Sequence, residues 1–296
     1  MAGRHRSHEA ALARSQFLGE SIASACYVVG TNTGPVIDEC SPTQQTVRAL
    51  LALLALNDSQ PGGPLNQTSA AALVSYSFTQ SPRRNALLIV SSSPDNIAQR
   101  LLGAHCGFRF AGEAWMQTKS EHDVRRLYRL EHAPSGAVVI STSDTGLLRS
   151  EQCDPSESSI RFTRWNVGVP QESREAEANE FVEKLSTEAR ALLAALFVRL
   201  NARGGRSWAV GEFWWDPLDR PMWKLPGGRP STHRRSLRET GAGWELRWDG
   251  PPLPSDVVAA FTHPVCGLRG AHALGQDADR EREIVYGATR LLLRPF

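Results

Sequence analysis

In the first half of the chain, short continuous apolar runs alternate with segments whose apolar residues recur at helical spacing. Ser41-Pro42-Thr43-Gln44 is typical of a helix start, because serine caps, proline suits the first turn and glutamine completes a capping box. The apolar spacing that follows predicts a helix ending near Asn57. Further helices are predicted over 8–24, after Ser93, and from Ser120 through Tyr128. Strands are predicted over 26–31, 70–78, 86–91 and 137–142.

The second half begins with a pattern of helical period and then changes to strands. Residues 171–203 predict one long helix, because their apolar residues form one face, acids occupy the first turns and arginines the last. Residues 208–215 and 244–249 predict strands. In the second of these strands, tryptophan and leucine alternate with charged residues, so one face is expected to lie on the core. A short helix after Ser255 and a strand or helix over 283–293 complete the pattern.

These elements predict an α/β or α+β fold. We expect a mixed sheet with flanking helices in the N-terminal half, and one long helix packed with a Trp-rich antiparallel sheet in the C-terminal half. The expected domains are a flexible or helical N-terminal extension over 1–20, an α/β domain over 21–155 and an α+β domain over 160–296. The last of these contains the long helix 171–203 and a Trp/Arg-rich sheet region.

The composition is that of a globular protein. The 296 residues are 41% hydrophobic and 22% charged, with a formal net charge of +2. These values exclude a largely disordered chain and disfavour a chain coated in positive charge for bulk nucleic-acid binding. Lysine is rare among the 33 basic residues, which indicates a GC-rich genome such as that of an actinobacterium or a large DNA virus.

Cysteine usage indicates a reducing compartment. The five cysteines are scattered and form no CxxC pair. No apolar segment follows the basic N-terminus, so we expect a protein that is not secreted. The apolar run 49–56 is far shorter than the roughly 20 residues of a membrane span. We therefore predict a cytoplasmic location, or a nuclear one if the source is a virus or a eukaryote.

The most distinctive candidate site is the segment from Arg220 to Arg238, which contains no acid. Six of the chain's eight tryptophans lie between Trp208 and Trp248. Arginine and tryptophan are enriched at protein interfaces, and arginine interleaved with aromatic residues can also hold nucleic acid. The candidate binding residues are Trp223, Lys224, Arg229, His233, Arg234, Arg235 and Arg238.

Metal and cofactor chemistry have little support in the sequence. His263, Cys266 and His272 could supply zinc ligands, with Asp277 or Asp279 as a fourth, but zinc sites usually present paired, closely spaced ligands. We interpret these residues as a free thiol and loop histidines, and we expect neither a metal nor a cofactor. The segment Gly30–Gly34 lacks the spacing of a nucleotide-binding loop and is interpreted as a turn.

Three functional hypotheses follow. The first is a non-enzymatic intracellular interaction or adaptor protein that binds a protein partner through the Trp/Arg-rich C-terminal surface. The second is a nucleic-acid-binding protein that uses the basic 220–238 segment. The third is an enzyme with its pocket at the ends of the N-terminal strands, near Gly30–Gly34 and Ser91–Asp95, where open α/β sheets bind ligands.

Overall fold

The computed structural model describes residues 2–30, 34–56, 77–91, 94–103, 107–117, 124–143, 179–200, 202–204, 208–209, 235–241, 243–248, 252–275 and 281–295. The helices are α1 (Ala2–Leu18), α2 (Ile22–Val29), α3 (Pro42–Leu56), α4 (Pro94–Gly103), α5 (Thr187–Arg199) and α6 (Pro254–Phe261). The strands are β1 (Ser77–Pro82), β2 (Ala86–Ser91), β3 (Phe108–Gln117), β4 (Val124–His132), β5 (Ala137–Thr142), β6 (Arg203–Gly204), β7 (Trp208–Ala209), β8 (Arg235–Thr240), β9 (Gly243–Trp248), β10 (His272–Leu274), β11 (Arg282–Tyr286) and β12 (Thr289–Pro295). Helices and two mixed five-stranded sheets make this an α+β protein, which confirms the predicted class.

The N-terminal sheet has the strand order β1-β2-β5-β4-β3. The pair β2–β5 is parallel, and the other neighbours are antiparallel. Residues 87–91 of β2 are all buried, as expected of a central strand covered on both faces. Both continuous apolar runs, Ala86–Ser91 and Ala137–Thr142, are therefore strands as predicted.

Helix α3 lies at the centre of the molecule. Its start is the predicted one, since the backbone N–H of Gln44 donates to the Ser41 hydroxyl at 3.3 Å. Every residue from Val47 to Leu56 is buried. A helix buried on all sides must have partners on all sides, and α3 packs against α5, β5 and β8.

The C-terminal sheet has the strand order β10-β11-β12-β9-β8. Trp244, Leu246 and Trp248 of β9 are buried on the core face, as the alternation predicted. The sheet is mixed and not antiparallel throughout, because β12 lies beside β9 and runs parallel to it. Gly243 permits this pairing, since a Cβ at this position would lie 2.5 Å from the carbonyl oxygen of Arg290.

The predicted continuous helix over 171–203 is interrupted in the structure. Residues 171–178 lie outside the described residues, and the helix over 179–183 ends in a turn at 184–186. Helix α5 then begins at Thr187, where the Ser186 hydroxyl accepts a hydrogen bond from the N–H of Ala189 at 3.1 Å. Serine offers the backbone this alternative to a continuing helix, and the apolar periodicity that predicted one helix continues across the break.

Two predicted elements have the wrong type. The apolar run 26–31 was expected to be a strand, but residues up to Val29 belong to α2, which begins with a hydrogen bond from the N–H of Ser24 to the Ser21 hydroxyl. The segment from Ser120 through Tyr128 was expected to be a helix, but β4 begins at Val124. Pairing with β3 and β5 overrides the local capping signal. The domain boundaries stay predictions.

Among the described residues, three arginines are almost completely buried: Arg14, Arg48 and Arg199. Arg14 donates to both carboxylate oxygens of Glu20 at 2.9 and 2.8 Å, and it also donates to the carbonyl oxygens of Pro35, Val36 and Pro82. Arg199 donates to both carboxylate oxygens of Asp38 at 2.5 and 2.7 Å. A buried guanidinium needs such partners, because transfer of an unpaired charge from water costs several kcal/mol.

Candidate functional site

The predicted binding segment is only partly described. Trp223, Lys224, Arg229, His233 and Arg234 lie outside the described residues. Arg235 and Arg238 belong to β8, which pairs antiparallel with β9. Arg238 lies opposite Glu245, on the face of the sheet away from the buried tryptophans. Arg235 is paired in register with Trp248, so Arg238 is the described candidate residue on the outer face of the C-terminal sheet.

Three arginines on this face surround one buried carboxylate, that of Glu245. The Nε of Arg238 donates to Oε2 of Glu245 at 2.5 Å. Arg247 and Arg294 donate to its Oε1 at 3.0 and 3.1 Å. We call these four residues the arginine cluster. Three positive charges around one negative charge leave it with a net charge of +2.

The arginine cluster is electrostatically fixed. Glu245 is only 2% exposed. Burial raises the pKa of this carboxyl, but the hydrogen bond and charge of Arg238, with the charges of Arg247 and Arg294, outweigh burial and hold the pKa below its usual range. Glu245 therefore stays ionised at neutral pH and orients the three side chains. The Arg238 side chain remains 49% exposed, so its free N–H groups face solvent.

Fixed, exposed guanidinium groups suit one kind of chemistry. They bind carboxylates or phosphates in a planar, two-point geometry, and fixing them beforehand reduces the entropy lost on binding. The described tryptophans of this sheet, Trp244 and Trp248, point the other way and belong to the core. Alternation in β9 indicated which residues lie on the outer face, but nothing in the sequence indicated that Arg294 joins them from a parallel strand.

The three candidate zinc ligands have different surroundings in the structure. The Nδ1 of His263 accepts hydrogen bonds from the backbone N–H groups of Val265 and Cys266, at 3.2 and 2.9 Å. Cys266 is buried, whereas His272 is exposed in β10. Asp277 and Asp279 lie outside the described residues. Across the described ranges, no group of three or more His, Cys, Asp or Glu side chains is placed to hold a metal ion.

The region proposed for an enzyme pocket also differs from the expectation. Gly30 follows helix α2 and not a strand, so it does not lie at a strand's carboxyl end. Residues 31–33 and 92–93 lie outside the described residues, and Pro94 begins α4. Open α/β sheets bind ligands at the carboxyl ends of their strands. Of the described residues proposed for the pocket, only Ser91, the last residue of β2, lies at such an end.

Cysteine alkylation provides a direct test of the described thiols. Burial raises the pKa of the Cys266 thiol to about 12, against the opposing charges of Arg199 and Arg14. Since the thiolate is the reactive form, we expect N-ethylmaleimide to label exposed Cys26 in the native protein at least about tenfold faster than Cys266. Peptide mass spectrometry over a time course measures both rates. The denatured chain is the control and should label at both positions, and equal rates in the native protein would contradict the expected burial.

No family model matches the chain, and no match is found among curated proteins or solved structures. Within the described part of the chain, the helices lack the length and apolar character of a membrane span.

Proposed function

We propose that the chain is a non-enzymatic interaction protein that binds an acidic surface of a partner protein through the outer face of its C-terminal sheet. The observation that carries this proposal is the arginine cluster, in which buried Glu245 holds three guanidinium groups at the surface. A cytoplasmic location is part of the proposal and follows from cysteine usage.

A protein partner is favoured over nucleic acid by the charges around the cluster. Glu281 accepts a hydrogen bond from Arg294 at 3.0 Å, and Glu283 pairs with Arg290 at 3.3 Å. These carboxylates interrupt the positive surface that a phosphate backbone would follow. Guanidinium groups that are interspersed with carboxylates suit the separate carboxylates of a partner protein better than a continuous row of phosphates. The chain's net charge of +2 agrees with this preference.

The proposal is tested with a labelled glutamate-rich peptide as the probe. We expect Arg238→Gln/Arg290→Gln to weaken peptide binding by about tenfold or more, because it removes two exposed guanidinium groups from the face. A Trp223→Ala/Arg234→Ala/Arg235→Ala variant should weaken it as well. Fluorescence anisotropy measures the affinity, and circular dichroism confirms the fold of each variant.

A matched control removes two arginines elsewhere. Arg84 and Arg109 are exposed in the N-terminal sheet region, so Arg84→Gln/Arg109→Gln changes the net charge equally and should leave binding intact. Equal losses in both double variants would mean that only net charge matters and would contradict the site. Tight binding of a DNA duplex without peptide binding, with affinity falling steeply in salt, would replace the proposal with the nucleic-acid hypothesis.

A further inference from the structure

A cleft lies between helices α3 and α5 and strand β11. Its cavity volume is about 80 Å³, well below that of sites for drug-sized ligands, so it has room for a very small molecule only. One wall is apolar, formed by the alanines of α5 and by Leu268. The other carries polar groups from α3, from the segment before it, and from β11. The lining residues are Asp38, Gln45, Arg48, Ala191, Ala194, Ala195, Leu268 and Tyr286.

Arg48 is the residue in this cleft whose bonding is incomplete. Its side chain is 1% exposed. One terminal nitrogen donates to the carbonyl oxygen of Arg83 at 2.5 Å and lies 3.5 Å from that of Ala86. Its Nε has no hydrogen-bond partner. In the described part of the chain, Arg48 forms no ion pair, unlike the other buried arginines, Arg14 and Arg199.

The neighbouring groups do not neutralise this charge. Asp38 lines the same cleft, but both of its carboxylate oxygens are bound by Arg199. Burial raises the pKa of the Cys40 thiol, with the Arg48 charge opposing and the Asp38 charge adding to the effect, so Cys40 is neutral at neutral pH. Burial also lowers the pKa of Arg48, but a guanidinium remains protonated in proteins. One positive charge therefore stays uncompensated beside the cleft.

We propose that this cleft binds a small organic carboxylate, whose carboxylate group pairs with Arg48 and whose short apolar chain lies against the alanines of α5. A monovalent anion matches the single uncompensated charge. A phosphate dianion would carry one negative charge more than the single uncompensated charge of Arg48. The amide of Gln45 and the hydroxyl of Tyr286 provide further hydrogen-bonding capacity in the lining. This site is separate from the arginine cluster and independent of the proposed function.

The test uses the full chain with sodium butyrate as the probe, titrated at constant ionic strength against sodium chloride. We expect saturable binding by isothermal titration calorimetry and a raised melting temperature, since a ligand that binds only the folded state stabilises it. Ala191→Leu fills the cleft while leaving Arg48 in place, and it should weaken binding by about tenfold or more. Arg48→Met should do the same by removing the charge.

The controls separate this site from a general anion effect. Ala23 is exposed on α2, so Ala23→Leu makes the same substitution away from the cleft and should bind butyrate like the wild type. Because Arg48→Met could impair folding, Ala191→Leu decides the outcome by itself. Unchanged affinity in Ala191→Leu, a stabilisation matched by chloride, or no saturable binding would overturn the proposal. Inorganic phosphate binding as tightly as butyrate would overturn the carboxylate assignment.

Discussion

Replacing Arg199 by leucine is expected to lower the free energy of unfolding by about 3–5 kcal/mol, because it breaks a buried ion pair from one side. Arg199 is 1% exposed and joins three parts of the chain. It binds Asp38 before α3, and it donates to the carbonyl oxygens of Ala260 at 3.1 Å and Cys266 at 2.8 Å. The guanidinium carbon also lies 5.2 Å from the centre of the Phe261 ring. Without Arg199, these acceptors lose their donor together.

Urea denaturation followed by circular dichroism measures this loss. Asp38 provides the comparison, because Asp38→Asn removes the counter-charge but keeps an oxygen that can accept from Arg199, and the bonds of Arg199 to Ala260 and Cys266 remain. Asp38→Asn should therefore cost less than Arg199→Leu, and the two losses should not add in the double variant. A larger loss for Asp38→Asn than for Arg199→Leu would show that the carbonyl contacts of Arg199 contribute little.

Replacing Glu20 by glutamine should have an effect of similar size, about 3–5 kcal/mol, because it leaves the guanidinium of Arg14 buried without a counter-charge. Both side chains are 0% exposed, so water cannot compensate. Arg14 would keep its bonds to the carbonyl oxygens of Pro35, Val36 and Pro82. These hydrogen bonds keep the Arg14 guanidinium in the interior, so the side chain cannot turn toward solvent to be hydrated.

A double replacement separates the buried charge from the lost hydrogen bonds. Arg14→Met/Glu20→Leu removes both charges and keeps most of the apolar volume. Its loss should be about 0.5–3 kcal/mol smaller than the sum of the losses of the single variants Arg14→Met and Glu20→Leu, the usual coupling between contacting residues. The same urea titration measures all three variants. Additive losses would mean that the pair is not coupled, contrary to the bidentate geometry.

The sequence predicted those elements whose pattern has one physical interpretation. Ala86–Ser91 and Ala137–Thr142 are short apolar runs without helical period, and both are central strands. The capping residues before Gln44 also predicted a helix correctly. By contrast, a run as short as 26–31 fits a buried helix turn as well as a strand, and its contacts with α1 decide the outcome.

Only the part of the candidate site that lies on strand β9 could be predicted from the sequence. The alternation of apolar and charged residues in β9 separates Glu245 and Arg247 from the core-facing residues. Arg294 comes from a strand 49 residues further along the chain, and a parallel pairing over that distance leaves no local pattern. Arg48 could not be predicted as a buried residue of a cleft. Helical spacing marks the apolar positions of α3, but it does not show that the polar positions of this helix are buried too.

The position of β12 has a consequence for synthesis of the protein. It is the central strand of the C-terminal sheet, bonded to β9 on one side and to β11 on the other. Until residues 289–295 leave the ribosome, the hairpins β8–β9 and β10–β11 have no common partner strand, and one edge of β9 is unpaired. A non-local parallel pairing is slow to form. We therefore expect the C-terminal sheet to complete its fold after the N-terminal sheet during synthesis.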